Sequence, residues 1–412
     1  MRRLYFRHCM ARRKLGADKI FDGYKMLEDA VLIVTEEGVV ETLIPAAEAG
    51  DGVENLTGIL TPGFVNCHCH LELSHMKGTI PERTGLVDFV FKVVTKRGAG
   101  DEEIASAIAA AETAMKEAGI VAVGDICNNN STLKQKEQGN LAYYNFIEAS
   151  GWLPAVSEAR FERAKVLLDA FQQLQTRSNC SIVPHAPYSV SPDLWQRIQP
   201  FFASKVVSIH NQETAFEDEF FQFGTGDFQR MYELMKIDNS HHHPTKKSSL
   251  QSCFDQLAGA ERIILVHNTF TKQEDIDFVN RYSAISNRQS VKESPERQIS
   301  NPKPQTFFCL CVNANQYIEG VMPPVELFRE NNCKIVLGTD SLASNWSLSI
   351  LDEMKTIRKH FPAISLEEML GWATLNGAKA LGFENQLGSF EKGKKPGVVL
   401  IKEDSFDASR LF

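Results

Sequence analysis

Cys67-His68-Cys69-His70 is a dense concentration of metal-ligating side chains, and it closes an apolar run, Ile59 to Asn66, of strand length. Residues two apart on an extended strand point to the same face, so His68 and His70 can aim both imidazoles at one ion while Cys67 and Cys69 face away. Two ligands do not complete a site. A His-x-His pair alone reads equally well as two unrelated loop histidines, so further ligands must come from downstream. Suitable residues end other short apolar runs: His185 after Ser181 to Pro184, His210 after Val206 to Ile209 with Glu213 three residues on, His267 after Ile263 to Val266, and Asp340 just past Lys334 to Gly338. Any one of them could be a buried structural residue. Their joint placement at successive run ends points to a shared site.

The elements that must position these residues repeat as strand then helix. Runs of strand length occur at 59–66, 120–124, 141–147, 181–185, 206–210, 263–267, 306–311 and 334–338. Between them, Asp101 to Ala118 carries Ile104, Ala107, Ile108, Ala111 and Met115 at helical spacing and stops at Gly119. Thr271-x-x-Glu274 and Ser365-x-x-Glu368 read as capping boxes opening two later helices. Eight strands alternating with helices predict an α/β (β/α)8 TIM barrel over 59–383, with a doubly wound open sheet as the weaker option. In such a barrel the active site lies at the C-terminal ends of the strands, where these residues fall. Outside it, Ala30 to Val34 and Val39 to Ile44 flank Gly38 as a hairpin, and Val398 to Ile401 follows a Gly- and Lys-rich turn. Residues 1–58 and 384–412 are therefore expected to pack as one composite β domain. Asp238 to Ser249, with His241-His242-His243, and the polar stretch Ser283 to Pro304 read as surface loops.

Composition narrows the function. Of 412 residues, 43% are apolar and 23% charged, enough for a large core and unlike a disordered chain. A formal charge of -8 argues against a nucleic-acid surface, which needs clustered Lys and Arg, and favours a small-molecule substrate. Arg2-Arg3 is followed by Arg12, Arg13 and Lys14 rather than an apolar export segment, and no run of about 18 uncharged apolar residues offers a membrane span. Nine cysteines, an odd number in a long chain, fit a reducing cytoplasm better than a disulfide framework, and Cys309 and Cys311 read as core. Self-association stays open.

His68-x-His70 after Pro62-Gly63-Phe64, His210-x-x-Glu213, His267 and Gly338-Thr339-Asp340-Ser341 together resemble the amidohydrolase superfamily, in its cytosine deaminase and triazine hydrolase branch. The likeness spans nearly the whole chain. It implies one divalent ion held by His68, His70, His210 and Asp340, with Glu213, His267 and Asp340 carrying the catalysis. Relatives with two metals bridge them by a lysine or glutamate at the end of strand four, where this chain has Val183-Pro184-His185. Neutral imidazoles with one carboxylate suit zinc first and iron second. The His-x-x-Glu pattern is similar to that of enzymes replacing an exocyclic amine on a heteroaromatic ring, so deamination ranks above amide or ester hydrolysis.

His185-Ala186-Pro187-Tyr188-Ser189 is similar to a segment of adenosine-type deaminases in which the histidine approaches the sugar. Leu71 to Gly78 and Leu337 to Asn345 resemble aminodeoxyfutalosine deaminases, which implies substrate contacts from Glu72, Ser74, His75 and Ser341. Strand seven gives Cys311-Val312-Asn313-Ala314-Asn315 where relatives commonly have a proline after the cysteine, and Lys395-Pro396-Gly397 stands where an Ala-Asp pair is usual. The alternatives are another amino-heterocycle such as guanine, cytosine or a triazine, or a noncatalytic binding protein on the same fold.

Overall fold

The computed structural model describes residues 12–289 and 304–412, and its named strands form three sheets. The chain opens with β1 (Arg12–Phe21), β2 (Met26–Leu27), β3 (Ala30–Thr35), β4 (Val40–Pro45) and β5 (Val53–Pro62). β3 and β4 are the expected hairpin, with Gly38 at φ +81° in its turn. The sequence pattern does not single out β1, because Arg12, Arg13, Lys14, Asp18 and Lys19 interrupt its apolar positions. Yet β1 holds β3 on one side and β5 on the other, and the Arg13 guanidinium pairs with both carboxylate oxygens of Glu54 at 2.8–2.9 Å.

The run from Ile59 to Asn66, expected as one strand, is two. β5 ends at Pro62, and a new strand, β6 (Phe64–Cys69), carries the histidine pair. Gly63 lies between them in a gap that admits no side chain: a Cβ there would sit 2.2 Å from Val121 Cγ1 and 2.8 Å from the Pro396 carbonyl. Proline and glycine thus let the chain pass from one sheet to the next.

The parallel strands continue as β7 (Ile120–Cys127), β8 (Ala142–Ala149), β9 (Ser178–Pro184), β10 (Val206–Asn211), β11 (Arg262–His267), β12 (Gln305–Leu310) and β13 (Lys334–Leu337). They form two four-stranded sheets, β6-β7-β8-β9 and β10-β11-β12-β13, parallel throughout. β6, β7, β8, β10 and β11 are buried at every residue, as expected for parallel strands covered on both faces, which is why they read as unbroken apolar runs. Backbone hydrogen bonds cross both seams between the sheets: His210 N–H donates to the His185 carbonyl at 2.9 Å, and Thr339 and Asp340 N–H donate to the His68 carbonyl at 2.9 and 3.0 Å. β14 (Val398–Lys402) and β15 (Asp407–Arg410) then return to the first sheet, β14 pairing with β5, so strands from both ends of the chain share it.

The helix Asp101–Glu117 forms as its spacing predicts, with acidic Asp101, Glu102 and Glu103 in the first turn, Lys116 in the last and Gly119 at φ +88° beyond it. Ser365 caps Leu366–Gly371 by accepting from Glu368 N–H at 3.2 Å. Thr271 does not cap; its hydroxyl donates to Gln212 Oε1 at 2.7 Å, and Asp275 instead accepts from Lys272 N–H. The polar stretch expected to begin a loop at Ser283 starts as the end of the helix Gln273–Gln289, since no Gly or Pro interrupts it there; 290–303 lie outside the described residues. The His241–His243 segment is a loop, as expected, but His241 and His242 are half-buried against Trp152 at 5.1 and 5.5 Å between ring centroids. No helix among the described residues is long and apolar enough to cross a membrane.

Among the described residues, the Lys136–Asp125 ion pair is fully enclosed. Lys136 Nζ lies 2.5 Å from Asp125 Oδ2 and 2.7 Å from Asn145 Oδ1, while Asp125 Oδ1 accepts from Leu71 N–H at 2.8 Å, directly after His70. Lys136→Met fills the volume but strands the Asp125 charge, so a loss of about 3–5 kcal/mol of stability is expected by urea denaturation. A loss under about 1 kcal/mol would mean that Asp125 finds another partner.

Candidate active site

The C-terminal ends of the parallel strands deliver the polar residues to one place. His68 and His70 come from the end of β6, His210 from β10, His267 from the last position of β11 and Asp340 from just beyond β13. Ligand atoms of His68, His70, His210 and Asp340 all lie within 4.8 Å of one another, and all four residues are buried. Asp340 Oδ1 is 3.3 Å from His70 Nε2 and 3.7 Å from His68 Nε2; the Nε2 atoms of His70 and His210 are 3.3 Å apart. Gly338 makes the crowding possible, since a Cβ there would come within 2.8–3.0 Å of Cys309 Sγ, His68 Cβ and Cys311 Sγ. His267 and Asp340 hold φ of +71° and +58°, a left-handed backbone that ordinary residues adopt only at a cost of roughly 1–3 kcal/mol.

Hydrogen bonds behind the site orient two of the rings. His210 Nδ1 donates to the His185 carbonyl at 2.8 Å and His267 Nδ1 donates to Asn315 Oδ1 at 2.9 Å, which leaves Nε2 of each neutral ring as a lone pair. Ser344 Oγ donates to Asp340 Oδ2 at 2.6 Å. Both ring nitrogens of His68 and Nε2 of His267 are buried without a hydrogen-bond partner. Burial lowers the His70 imidazole to about 3 and pushes His210 and His267 down as well, so all three are neutral at pH 7. Burial alone would raise the Asp340 carboxyl, but the close approach of the His68, His70 and His267 imidazoles holds it well below the carboxylate range. Neutral imidazoles, an ionised carboxylate and orphaned nitrogens suit a divalent cation.

Glu213 Oε1 stands 3.7 Å from His267 Nε2, and burial pushes its carboxyl well above the usual range. His70, Glu72, His185, His210, Glu213, His267, Asp340 and Ser341 line one cavity of about 660 Å³, which continues between Phe89, Trp152, Tyr188 and Tyr232. Of the residues expected to touch substrate, Glu72, His185 and Ser341 reach this cavity. Ser74 and His75 are not brought to it: Ser74 Oγ donates to the Leu71 carbonyl at 2.7 Å, and His75 Nε2 faces the Arg97 carbonyl at 3.0 Å. Residues 71–76 form a 3₁₀ turn in which i and i+3 eclipse, so His70 and Leu73 share the cavity side while Ser74 lies over Leu71. Glu72 is also a clamp, its Oε2 accepting from Asn128 and Asn129 N–H at 3.0 and 3.2 Å.

Ser344, Asn315, Glu148 and Glu217 were not singled out from sequence. Glu148, the penultimate residue of β8, was open to the same strand-end rule as the histidines. Glu217 completes a Thr214-x-x-Glu217 capping signature, although its side chain reaches beyond the cap. Glu217 Oε1 accepts from Gln212 N–H at 3.0 Å and Ser249 Oγ–H at 2.5 Å, and Oε2 accepts from Glu213 N–H at 3.2 Å. A carboxylate can take three donors at once, and this one fixes the backbone that carries Glu213.

Imidazoles and a carboxylate gathered at parallel strand ends, with a second carboxylate beside them, form a cluster that could hold a metal ion, as hydrolases of strand-end type use. The amidohydrolase family model matches residues 59–410, and the chain belongs to that family. An adenosine deaminase from Helicobacter pylori is 26% identical over 354 residues, which cover 83% of this chain and 78% of the relative. The solved structure of H. pylori aminofutalosine deaminase in complex with methylthio-coformycin is similar with a TM-score of 0.77 at 22% identity, covering 94% of this chain and 92% of that one. An adenosine deaminase from Xanthomonas campestris with bound zinc is similar with a TM-score of 0.68 at 20% identity, covering 94% and 84%. These two structural likenesses are of fold.

Burial pushes Glu217 from 4.5 up to about 8, against the hydrogen bonds from Ser249 and Gln212. A carboxyl raised on folding binds its proton more tightly in the native state. Its contribution to stability is therefore complete below about 4.5 and is lost as pH rises toward 8. Glu217→Gln removes this titration, so the decline of unfolding free energy across that window is expected to be shallower in the variant, measured by urea denaturation at a series of pH values. An unchanged slope would assign the titration to another group.

Proposed function

We propose that this chain is a metal-dependent aminohydrolase that replaces the exocyclic amino group of a purine nucleoside-like substrate with hydroxyl and releases ammonia. The observation that carries the reading is the pair Glu213 and His267 beside the His68, His70, His210 and Asp340 cluster, in one cavity that His185 also lines. The names of the adenosine deaminase relative and of the neighbour holding a nucleoside analogue support the substrate class.

His68, His70, His210 and Asp340 would hold one divalent ion, zinc first and iron second, as the donor set suits both. Bound there, the ion would supply Lewis acidity and would bring the pKa of a water down to about 7. Glu213 carries a proton from the attacking water to the ring nitrogen. His267, its Nδ1–H committed to Asn315, offers its Nε2 lone pair to orient the nucleophile. Asp340 accepts the second proton and delivers it to the departing nitrogen. A C–O bond forms, the C–N bond breaks and ammonia leaves.

Glu72, His185 and Ser341 are proposed as substrate contacts, with Ser74 and His75 supporting the turn that carries Glu72. The aromatic end of the cavity supports a substrate that extends past the sugar. Hydrogen bonds across both seams support a closed (β/α)8 barrel over 59–383, with 1–58 and 384–412 as a composite β domain and β5 crossing the boundary between them. The eight cysteines free among the described residues support a reducing, cytoplasmic setting.

Metal-loaded protein given 6-aminopurine nucleosides is expected to release ammonia in step with the 6-hydroxy product, and Glu213→Gln to lower turnover by about 10²- to 10⁴-fold. Fully loaded protein inert toward every such nucleoside would overturn the substrate, and full turnover by Glu213→Gln would overturn the mechanism.

A further inference from the structure

Gln212 lies between a histidine of the cation cluster and the carboxyl that moves protons, two residues after His210 and one before Glu213. It is fully buried and does not line the cavity. Its φ of +44° is the left-handed conformation, which a residue with a side chain keeps only where its surroundings over-determine it. They do so here. The amide Nε2 donates to Asp218 Oδ1 at 3.0 Å and to Asp275 Oδ2 at 2.9 Å, while Oε1 accepts from Thr271 Oγ–H at 2.7 Å and from Asn211 Nδ2 at 3.3 Å. The backbone N–H donates to Glu217 Oε1 at 3.0 Å, and the carbonyl accepts from Phe270 N–H at 3.0 Å. A side-chain amide has two donors and two acceptor positions, and all four are filled. Glutamate at this position would turn oxygen on two carboxylates, and methionine would leave every partner unpaired.

These bonds join the two segments that carry Glu213 and His267. Phe270 and Thr271 follow His267 in the turn after β11. Asn211 ties the same turn, its Nδ2 donating to Asn268 Oδ1 and its carbonyl accepting from Asn268 N–H, each at 3.0 Å. Asp218 belongs to the helix Ala215–Phe223 just after Glu213, and Asp275 to the helix Gln273–Gln289. Glu213 Oε1 and His267 Nε2 face each other at 3.7 Å across this joint. Two other tasks do not fit Gln212. Its place behind the cavity wall excludes contact with substrate. His210 does not need it either, because the His210 N–H and Nδ1 both bond the His185 carbonyl, at 2.9 and 2.8 Å.

We propose that Gln212 is a positioning residue that sets the separation of Glu213 from His267, and so acts on proton transfer rather than on metal or substrate binding. The proposal rests on the roles given to Glu213 and His267 in deamination and adds to them the residue that holds both in register. Gln212 touches no reacting atom. Its loss is felt only through the two side chains it spaces.

Metal content, kinetics with 6-aminopurine nucleosides and crystal structures of metal-loaded wild type, Gln212→Met and Thr271→Val provide the test. Gln212→Met is expected to keep the wild-type metal content and a KM within about 2-fold while kcat falls by about 10- to 100-fold, the scale of an ångström's misplacement, with the Glu213–His267 separation visibly changed. Thr271→Val removes one donor at nearly constant volume and is expected to lower kcat by about 3- to 10-fold. It decides the matter should Gln212→Met fail to fold. Unchanged kcat in the deciding variant overturns the proposal, as does loss of the ion or a defect carried by KM, which would assign Gln212 to the ligands or to the substrate. If the wild type turns over none of the nucleosides, deamination falls and the structures alone decide: Glu213 displaced from His267 at full metal content upholds the positioning role, and an unmoved pair overturns it.

Discussion

His68 is completely buried, and neither of its ring nitrogens has a partner in the protein. Leaving such groups unpaired costs about 1–3 kcal/mol each, against a folding free energy of only about 5–15 kcal/mol, so a fold does not keep them unless a ligand repays the loss. His70, His210 and Asp340 converge on the same point, where imidazole nitrogens approach each other to 3.3 Å. Much of the rest of the molecule meets the cost of holding four polar groups around that point.

The backbone meets part of it. The His68 carbonyl accepts from Thr339 and Asp340, so the first and last parallel strands are locked together at the residues that bear ligands. Asn66 repeats the lock one layer below, its Nδ2 donating to Thr339 Oγ1 at 2.7 Å and its Oδ1 accepting from Thr339 N–H at 3.2 Å. Ser344, Asn315 and the His185 carbonyl hold the outer atoms of Asp340, His267 and His210, and Glu217 holds the turn under Glu213. Loosening any of these would move a ligand or proton carrier by tenths of an ångström, enough to matter where geometry sets rate.

What was legible in the sequence follows from periodicity and from chemistry confined to strand ends. The parallel strands were readable because two buried faces leave an unbroken apolar run, and the site because His68, His70, His210, Glu213, His267 and Asp340 sit where such runs stop. β1 was hidden by charged residues that reach solvent from a sheet buried in part. The break at Gly63 was hidden because apolar residues flank it on both sides, and only the approach of Val121 and Pro396 reveals why glycine is there. Asn315 acts through a hydrogen bond to His267, distant in sequence, which no local pattern records. Ser344 acts on Asp340 four residues before it, in a turn that no periodicity marks, whereas Glu148 stood open to the strand-end rule. Ser74 and His75 shared a stretch with Glu72 but not its place at the cavity, because Ser74 is held to the Leu71 carbonyl and His75 faces the Arg97 carbonyl.

The central claim is that four residues form one cation site. Metal analysis of purified protein, repeated after chelation and titration with zinc by calorimetry, addresses it directly. The account predicts close to one tightly bound divalent ion per chain, lost in His210→Ala and retained in His75→Ala. Two tightly bound ions per chain, or one that survives His210→Ala and leaves with His75→Ala, would contradict it.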